Sequence, residues 1–193
     1  PDGKYSKFNG LPKLSYSQVT SWKSGQYRPG YIKQYICGIQ VPSGIFADYG
    51  SACGTYIESV ATKNSECHEE YKHLLSENDR QILNDLEYPE NSVYEDYIVV
   101  DMGDFVIEGF ADRCTYFEDQ SLHTHDFKTG SIAKKKADYA SPDYKQTNVY
   151  SYVKENEGNS ISDCAVILLD RAGNNAPKSP IRLTGKIEFV PTP

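Results

Sequence analysis

Apolar and polar positions divide the chain into a helical front, a β-rich middle, and a closing helix followed by two strands. Ser15-Tyr16-Ser17-Gln18 offers a serine N-cap ahead of Val19 and Trp22, which predicts a helix start. Gly25 and Arg28-Pro29-Gly30 interrupt it, and 31–36 reads as another short helix. Over 46–62, Cys53, Ile57 and Val60 form an apolar stripe at helical spacing. Gly50, Gly54 and Glu58 fall four apart and share a second face. Glycine weakens a helix, so this pair predicts a face on which another backbone packs closely. Residues 67–87 are polar and helix-prone, with Leu74, Leu75, Ile82, Leu83 and Leu86 as the buried set. From Ser92 the period changes: 93–102, 105–117 and 121–127 are β-rich runs joined by short polar turns, the pattern of a β-meander. A helix over 142–155 stops at Gly158-Asn159, and strands are predicted over 164–169 and 181–190. The predicted fold class is α+β: a central mixed sheet that begins with a three-strand meander and is flanked by helices.

Composition narrows this only a little. A chain of 193 residues fits one domain, 1–193, with 1–13 polar and loosely held. Hydrophobic residues at 38% and charged ones at 24% are ordinary for a globular protein. No apolar run approaches the ~18 residues of a membrane span, and Pro1-Asp2-Gly3-Lys4 opens no signal peptide. Five scattered cysteines without a Cys-x-x-Cys pair argue against a zinc ribbon, a cysteine-bound cluster or a disulfide scaffold. Reduced thiols in the cytoplasm are the expectation. A net charge of −7 does not advertise nucleic-acid binding, but a site that chelates divalent cations requires carboxylates.

The chemistry concentrates in the meander. Asp126 and Lys128, two apart in the third strand, emerge on one face. Asp112 sits in the second strand, and neighbouring strands lie about 4.8 Å apart, so the two aspartates can converge. Close carboxylates repel unless a cation lies between them, and oxygen ligands suit Mg²⁺ or Mn²⁺. A lysine beside that cation can position or deprotonate water, or stabilise charge on phosphate. His123 and His125 alternate to the opposite face and read as structural. The Lys134-Lys135-Lys136 run reads as a solvated loop with an option on phosphate.

In order, Leu14-Ser15-Tyr16-Ser17, Gly54-Thr55-Tyr56-Ile57-Glu58, Gly109-Phe110-Ala111-Asp112, Asp126-Phe127-Lys128-Thr129-Gly130 and Gln146-Thr147-Asn148-Val149-Tyr150 follow one another along the chain. This order resembles the PD-(D/E)XK nuclease superfamily, in its RecB-type and phage-exonuclease branch. The resemblance implies an α/β/α, restriction-endonuclease-like core. It implies Asp112 and Asp126 as metal ligands with the Phe127 carbonyl, and Glu58 as a further ligand. It casts Lys128 as the residue that orients water, and Gln146 and Tyr150 as cleft residues touching the lysine or the DNA backbone. Gly54 and its neighbours stand where many RecB-type members carry a metal-binding histidine, and no cluster-binding cysteines are present.

The implied activity is metal-dependent DNA hydrolysis with Mg²⁺ or Mn²⁺, by an exonuclease of phage or bacterial recombination, repair or processing. DNA is the implied partner, with a recombination protein as a further one. The alternative is a catalytically inactive nuclease-like protein that binds DNA or scaffolds a complex. A small-molecule phosphoesterase is a third reading. The Lys128-Thr129-Gly130 triplet lacks the upstream serine motif of penicillin-binding enzymes, and no Gly-x-x-x-x-Gly-Lys phosphate loop exists.

Overall fold

A computed structural model of the chain describes residues 7–8, 10–23, 28–39, 42–64, 71–174 and 176–193. Packing divides it into two units: Pro1–Ser43 with Tyr97–Phe110, and Gly44–Asp96 with Ala111–Pro193. No helix among the described residues is long and apolar enough to cross a membrane.

In the first unit, β1 (Lys7–Phe8) pairs antiparallel with β2 (Leu11–Leu14). These strands lie where a loose terminus was expected. Lys13 and Leu14 register in parallel with Val106 and Ile107, which gives the segment a backbone partner. Helix α1 (Tyr16–Lys23) begins as predicted. Gln18 N donates to Ser15 Oγ at 3.2 Å and Ser15 N donates to Gln18 Oε1 at 2.6 Å, a reciprocal capping box. Helix α2 (Arg28–Tyr31) runs into a π turn over Ile32–Ile36.

In the second unit, helices α3 (Ile45–Thr62) and α4 (Glu77–Asn84) precede the sheet. The helical content of 67–87 is shorter than its composition predicts: one 3₁₀ turn (Lys72–Leu74) and then α4, with 67–70 outside the described residues. Asp79 explains where α4 starts. Its Oδ2 accepts from Ser76 N at 2.9 Å and Ser76 Oγ at 2.7 Å, while Oδ1 accepts from Leu183 N at 2.7 Å. One fully buried carboxylate thus caps α4 and ties it to the last strand. Asp79→Ala leaves those donors unsatisfied and is expected to lower stability by about 3 kcal/mol, measured by urea unfolding.

The meander is present: β3 (Ser92–Asp101) pairs with β4 (Val106–Tyr116), and β4 pairs antiparallel with β5 (Ser121–Gly130). Both β3 and β4 run through the two units. Helices α5 (Ile132–Tyr139) and α6 (Gln146–Asn156) follow. Strand β6 (Ser160–Ala172) then pairs parallel with β5, and β7 (Arg182–Pro191) pairs antiparallel with β6. The sheet is therefore mixed and the class α+β, as the pattern predicted.

Strand β6 carries the core because both its faces are covered. Ile167 and Leu169 pack with Ile57 of α3 and Leu83 of α4, whereas Val166 and Leu168 pack with Ile132, Tyr139 and Tyr144. A strand covered on both sides reads as a continuous apolar run, which is what Ala165 to Leu169 is. Helix α5 corrects the loop expected at the lysine run: Ser131 precedes it in extended conformation, and Lys134 to Lys136 lie on its exposed side.

Candidate active site

Alternation and register bring the predicted residues together. Arg113 pairs with His125 across β4 and β5, so continuing that register by one residue sets Asp112 opposite Asp126. Phe127 N donates to Asp112 Oδ2 at 2.7 Å, which fixes the Asp112 carboxylate against the neighbouring strand. Asp126 is fully buried. Its Oδ2 meets Lys128 Nζ at 2.5 Å and accepts from Tyr144 OH at 2.9 Å. Its Oδ1 is buried too, yet has no hydrogen-bond partner among the described residues. A buried carboxylate oxygen without a donor is costly, and it calls for a cation or another ligand.

The electrostatics agree. Burial holds the Asp112 carboxyl well above the usual carboxylate range, and Asp126 adds to this; Lys128 and the Phe127 N–H work against it. Burial alone would make Lys128 give up its proton more readily. Asp126 and Asp112 outweigh that, leaving its pKa raised and the side chain an ammonium at neutral pH.

Two residues that sequence reasoning did not single out belong to this site. Glu95 of β3 shares a cleft of about 470 Å³ with Asp112, Phe127, Lys128, Gly54 and Thr55. Its pKa is raised by burial, then by Glu58 and Asp126, with Lys128 opposing. Glu95 also sits at φ 48°, in the left-handed region that a glutamate seldom adopts. Strain of about 1–3 kcal/mol of this kind persists where the surroundings over-determine a residue, typically at functional sites. The signal in the sequence is an acid that breaks the strand pattern at Tyr94-Glu95-Asp96-Tyr97. Tyr144 is the second: its hydroxyl donates to Asp126 and lies 3.3 Å from Gln146 Oε1. It precedes α6 in an irregular turn, where no periodicity points to it.

Glu58 lies half-buried on α3, close enough to Glu95 to raise its pKa. Gln146 and Tyr150, for which the resemblance implies a place in the cleft, bond to each other. Gln146 Nε2 donates to Tyr150 OH at 2.5 Å, and Tyr150 is 5% exposed. The Tyr144 hydroxyl lies within reach of both Gln146 Oε1 and Asp126 Oδ2. Phe127 lines the cleft, with Arg113 over its ring at 5.6 Å.

The two glycines of α3 are also resolved. A side chain at Gly50 would meet Thr129 Oγ1 at 3.3 Å, while Gly54 faces open space in the cleft. The close backbone approach expected at this face is absent at Gly54; the glycine leaves room instead. Gly54→Ala is expected to raise stability by about 0.5–1 kcal/mol, and Gly50→Ala to gain less because Thr129 must give way. Thermal unfolding of the two variants checks this.

A sequence comparison adds nothing: no protein-family model matches this chain, and no curated protein matches it. By structure, the chain is similar to the crystal structure of a protein named "putative exonuclease" from Eubacterium rectale. The likeness has a TM-score of 0.50 at 12% identity and covers 91% of this chain and 75% of that one. The two share a fold.

A second cluster, His123, His125 and Asp163, brings three possible ligand atoms within 4.8 Å of one another. Its hydrogen bonds already engage both ring nitrogens of His125. Arg113 Nε and Nη2 reach His125 Nδ1 at 3.3 and 3.0 Å. A guanidinium only donates, so Nδ1 is the acceptor and the ring proton sits on Nε2, which donates to Asp163 Oδ2 at 3.2 Å. Burial and Arg113 push the His125 pKa down to about 4, so the ring is neutral. Neither ring nitrogen keeps a lone pair for a cation.

Proposed function

We propose that this chain is a divalent-metal-dependent deoxyribonuclease of the PD-(D/E)XK superfamily, in its RecB-type and phage-exonuclease branch. The proposed reaction is exonucleolytic cleavage in phage or bacterial recombination, repair or processing. The observation that carries the reading is Asp126: buried, bonded by Lys128 and Tyr144 on one oxygen, and without a partner among the described residues on the other. The shared fold with a protein named as an exonuclease supports the same reading.

The oxygen donors fit a hard divalent cation such as Mg²⁺ or Mn²⁺. Asp126 through Oδ1, together with Asp112, would hold it, with the Phe127 carbonyl, Glu95 and Glu58 as further oxygen donors. A bound cation would supply charge neutralisation at the phosphate and a more acidic water. The protein's part follows from its own groups. Tyr144 and Lys128 fix the Asp126 carboxylate by occupying Oδ2. Lys128, as an ammonium, donates rather than accepts protons, which supports a role in placing water and steadying charge on phosphate, not in general-base catalysis. Water adds to phosphorus and gives up a proton to solvent, the bond to the leaving sugar oxygen breaks, and that oxygen takes a proton from solvent.

The test is one assay with end-labelled linear, circular and single-stranded DNA, with Mg²⁺ or with chelator. Mononucleotides released from linear DNA only, and only with metal, are the expected result. Intact substrate under every metal condition refutes the reading.

A further inference from the structure

The charge of this chain is unevenly distributed. Residues 1–43 hold six lysines and arginines against one aspartate, a net +5, so with −7 for the whole chain the remaining residues carry −12. Counting Asp101, Asp104 and Glu108 of Tyr97–Phe110, the first unit is still +2 and the second −9. The acidic total hides a basic segment, and local charge is what a polyanion reads.

The same segment displays aromatic rings. Trp22 of α1 is 48% exposed, and its ring centroid lies 5.3 Å from that of Tyr31, edge-on. Tyr31 in turn lies 5.0 Å from Tyr35 in the π turn. Val19, one turn before Trp22, is 48% exposed, and Ile32 43%. Lys33 between the two tyrosines is exposed. An aromatic series on a basic segment of an acidic protein matches one kind of partner: bases stack on the rings while cations follow the phosphates. A partner protein with an apolar face would not account for the excess of positive charge, which is +2 over the whole first unit.

We propose that Trp22, Tyr31 and Tyr35 form a stacking platform for unpaired bases of a single nucleic-acid strand, with Lys33 beside them on the backbone. This deepens the nuclease reading and rests on it, because it names the part of the substrate that the first unit holds.

Trp22 is the single tryptophan of the chain, so its emission reports on this platform without a label. The full-length protein in chelator is titrated with a 12-mer of deoxythymidine, a 12-mer of uridine, an abasic 12-mer of equal charge, and a blunt duplex. Either base-bearing single strand is expected to quench Trp22 by about half, while the abasic strand leaves it unchanged. Comparing the deoxythymidine and uridine strands shows which sugar is preferred. Tyr35→Leu is expected to weaken binding of the quenching strand about tenfold. Lys33→Glu, at an exposed position, should weaken it severalfold and flatten its salt dependence. Equal quenching by the abasic strand, silent Trp22 emission while a labelled strand binds, or emission that changes only with protein concentration overturns the proposal. Quenching in chelator with no cleavage under any metal supports the platform and removes the nuclease reading. Cleavage with silent Trp22 does the reverse.

Discussion

Asp112→Asn is expected to make the metal-free protein more stable while reducing cleavage by about three orders of magnitude or more. The stability gain follows from linkage. The folded state raises the pKa of Asp112 through burial and through Asp126, so it grips that proton more tightly than the unfolded chain does. Between the ordinary carboxylate pKa and the raised one, the folded state holds more protons, and stability falls as pH rises. Ionising Asp112 beside Asp126 in the folded wild type therefore carries a penalty that grows with pH through that range. Asparagine removes that charge and can still accept from Phe127 N. A gain of about 1–2 kcal/mol, or roughly 2–8 °C in Tm, is expected without metal. A divalent cation should offset the same penalty in the wild type, adding about 2.7 kcal/mol at a hundredfold excess over Kd. The variant should respond far less. Thermal unfolding at pH 5 and pH 8, in chelator and in Mn²⁺, reads all of this. A variant less stable than wild type in chelator, or equally stabilised by Mn²⁺, would show that the two carboxylates do not share a cation.

Much of this charge arrangement was legible in the sequence, because it depends on strand geometry alone. A two-residue period puts Asp126 and Lys128 on one face, and a tight turn makes β4 and β5 neighbours, so Asp112 converges with them wherever the strands lie. Glu95 follows no such rule. It reaches the cleft through a left-handed backbone kink in β3, which no alternation predicts. Tyr144 reaches Asp126 from the turn before α6, where neither a two-residue nor a helical period applies.

The fold shows the same division. The meander and α3 have a strong period and emerge where it places them, while β6, marked by an unbroken apolar run at 165–169, extends well beyond that run, from Ser160 to Ala172. Helix α5 went unseen because three consecutive lysines dominate it, although Ile132 and Tyr139, seven apart, mark one apolar face. The expected helix over 142–155 begins four residues late, at Gln146, after a turn in which Tyr144 N donates to Ser141 O at 3.0 Å. The N-terminal strands need a partner in β4 about ninety residues away, and local composition holds no record of such a partner.

Lys128→Met is expected to cut the cleavage rate about 10²–10³-fold and to leave DNA binding largely intact, because in the proposed reaction the lost donor would act on charge developing at the phosphate. Its effect on stability tests the site more sharply. Removing the ammonium leaves the buried Asp126 carboxylate without its cationic neighbour and takes away what holds the Asp112 pKa down. The full cost of breaking a buried pair, about 3–5 kcal/mol, is discounted because Lys128 keeps 29% of its side-chain surface in water; about 2 kcal/mol is expected. The decline of stability with rising pH should continue to higher pH, since the Asp112 carboxyl is pushed further up. Adding Asp112→Asn to this background should then recover more stability than it adds to the wild type, with a coupling of about 1 kcal/mol. In catalysis the pair should behave in the opposite way: the double variant cuts no more slowly than Asp112→Asn alone, because each needs the other to act. Strictly additive stabilities in this cycle, measured by urea unfolding in chelator, would mean that Lys128 serves Asp126 alone and that the two carboxylates do not form a single charged centre.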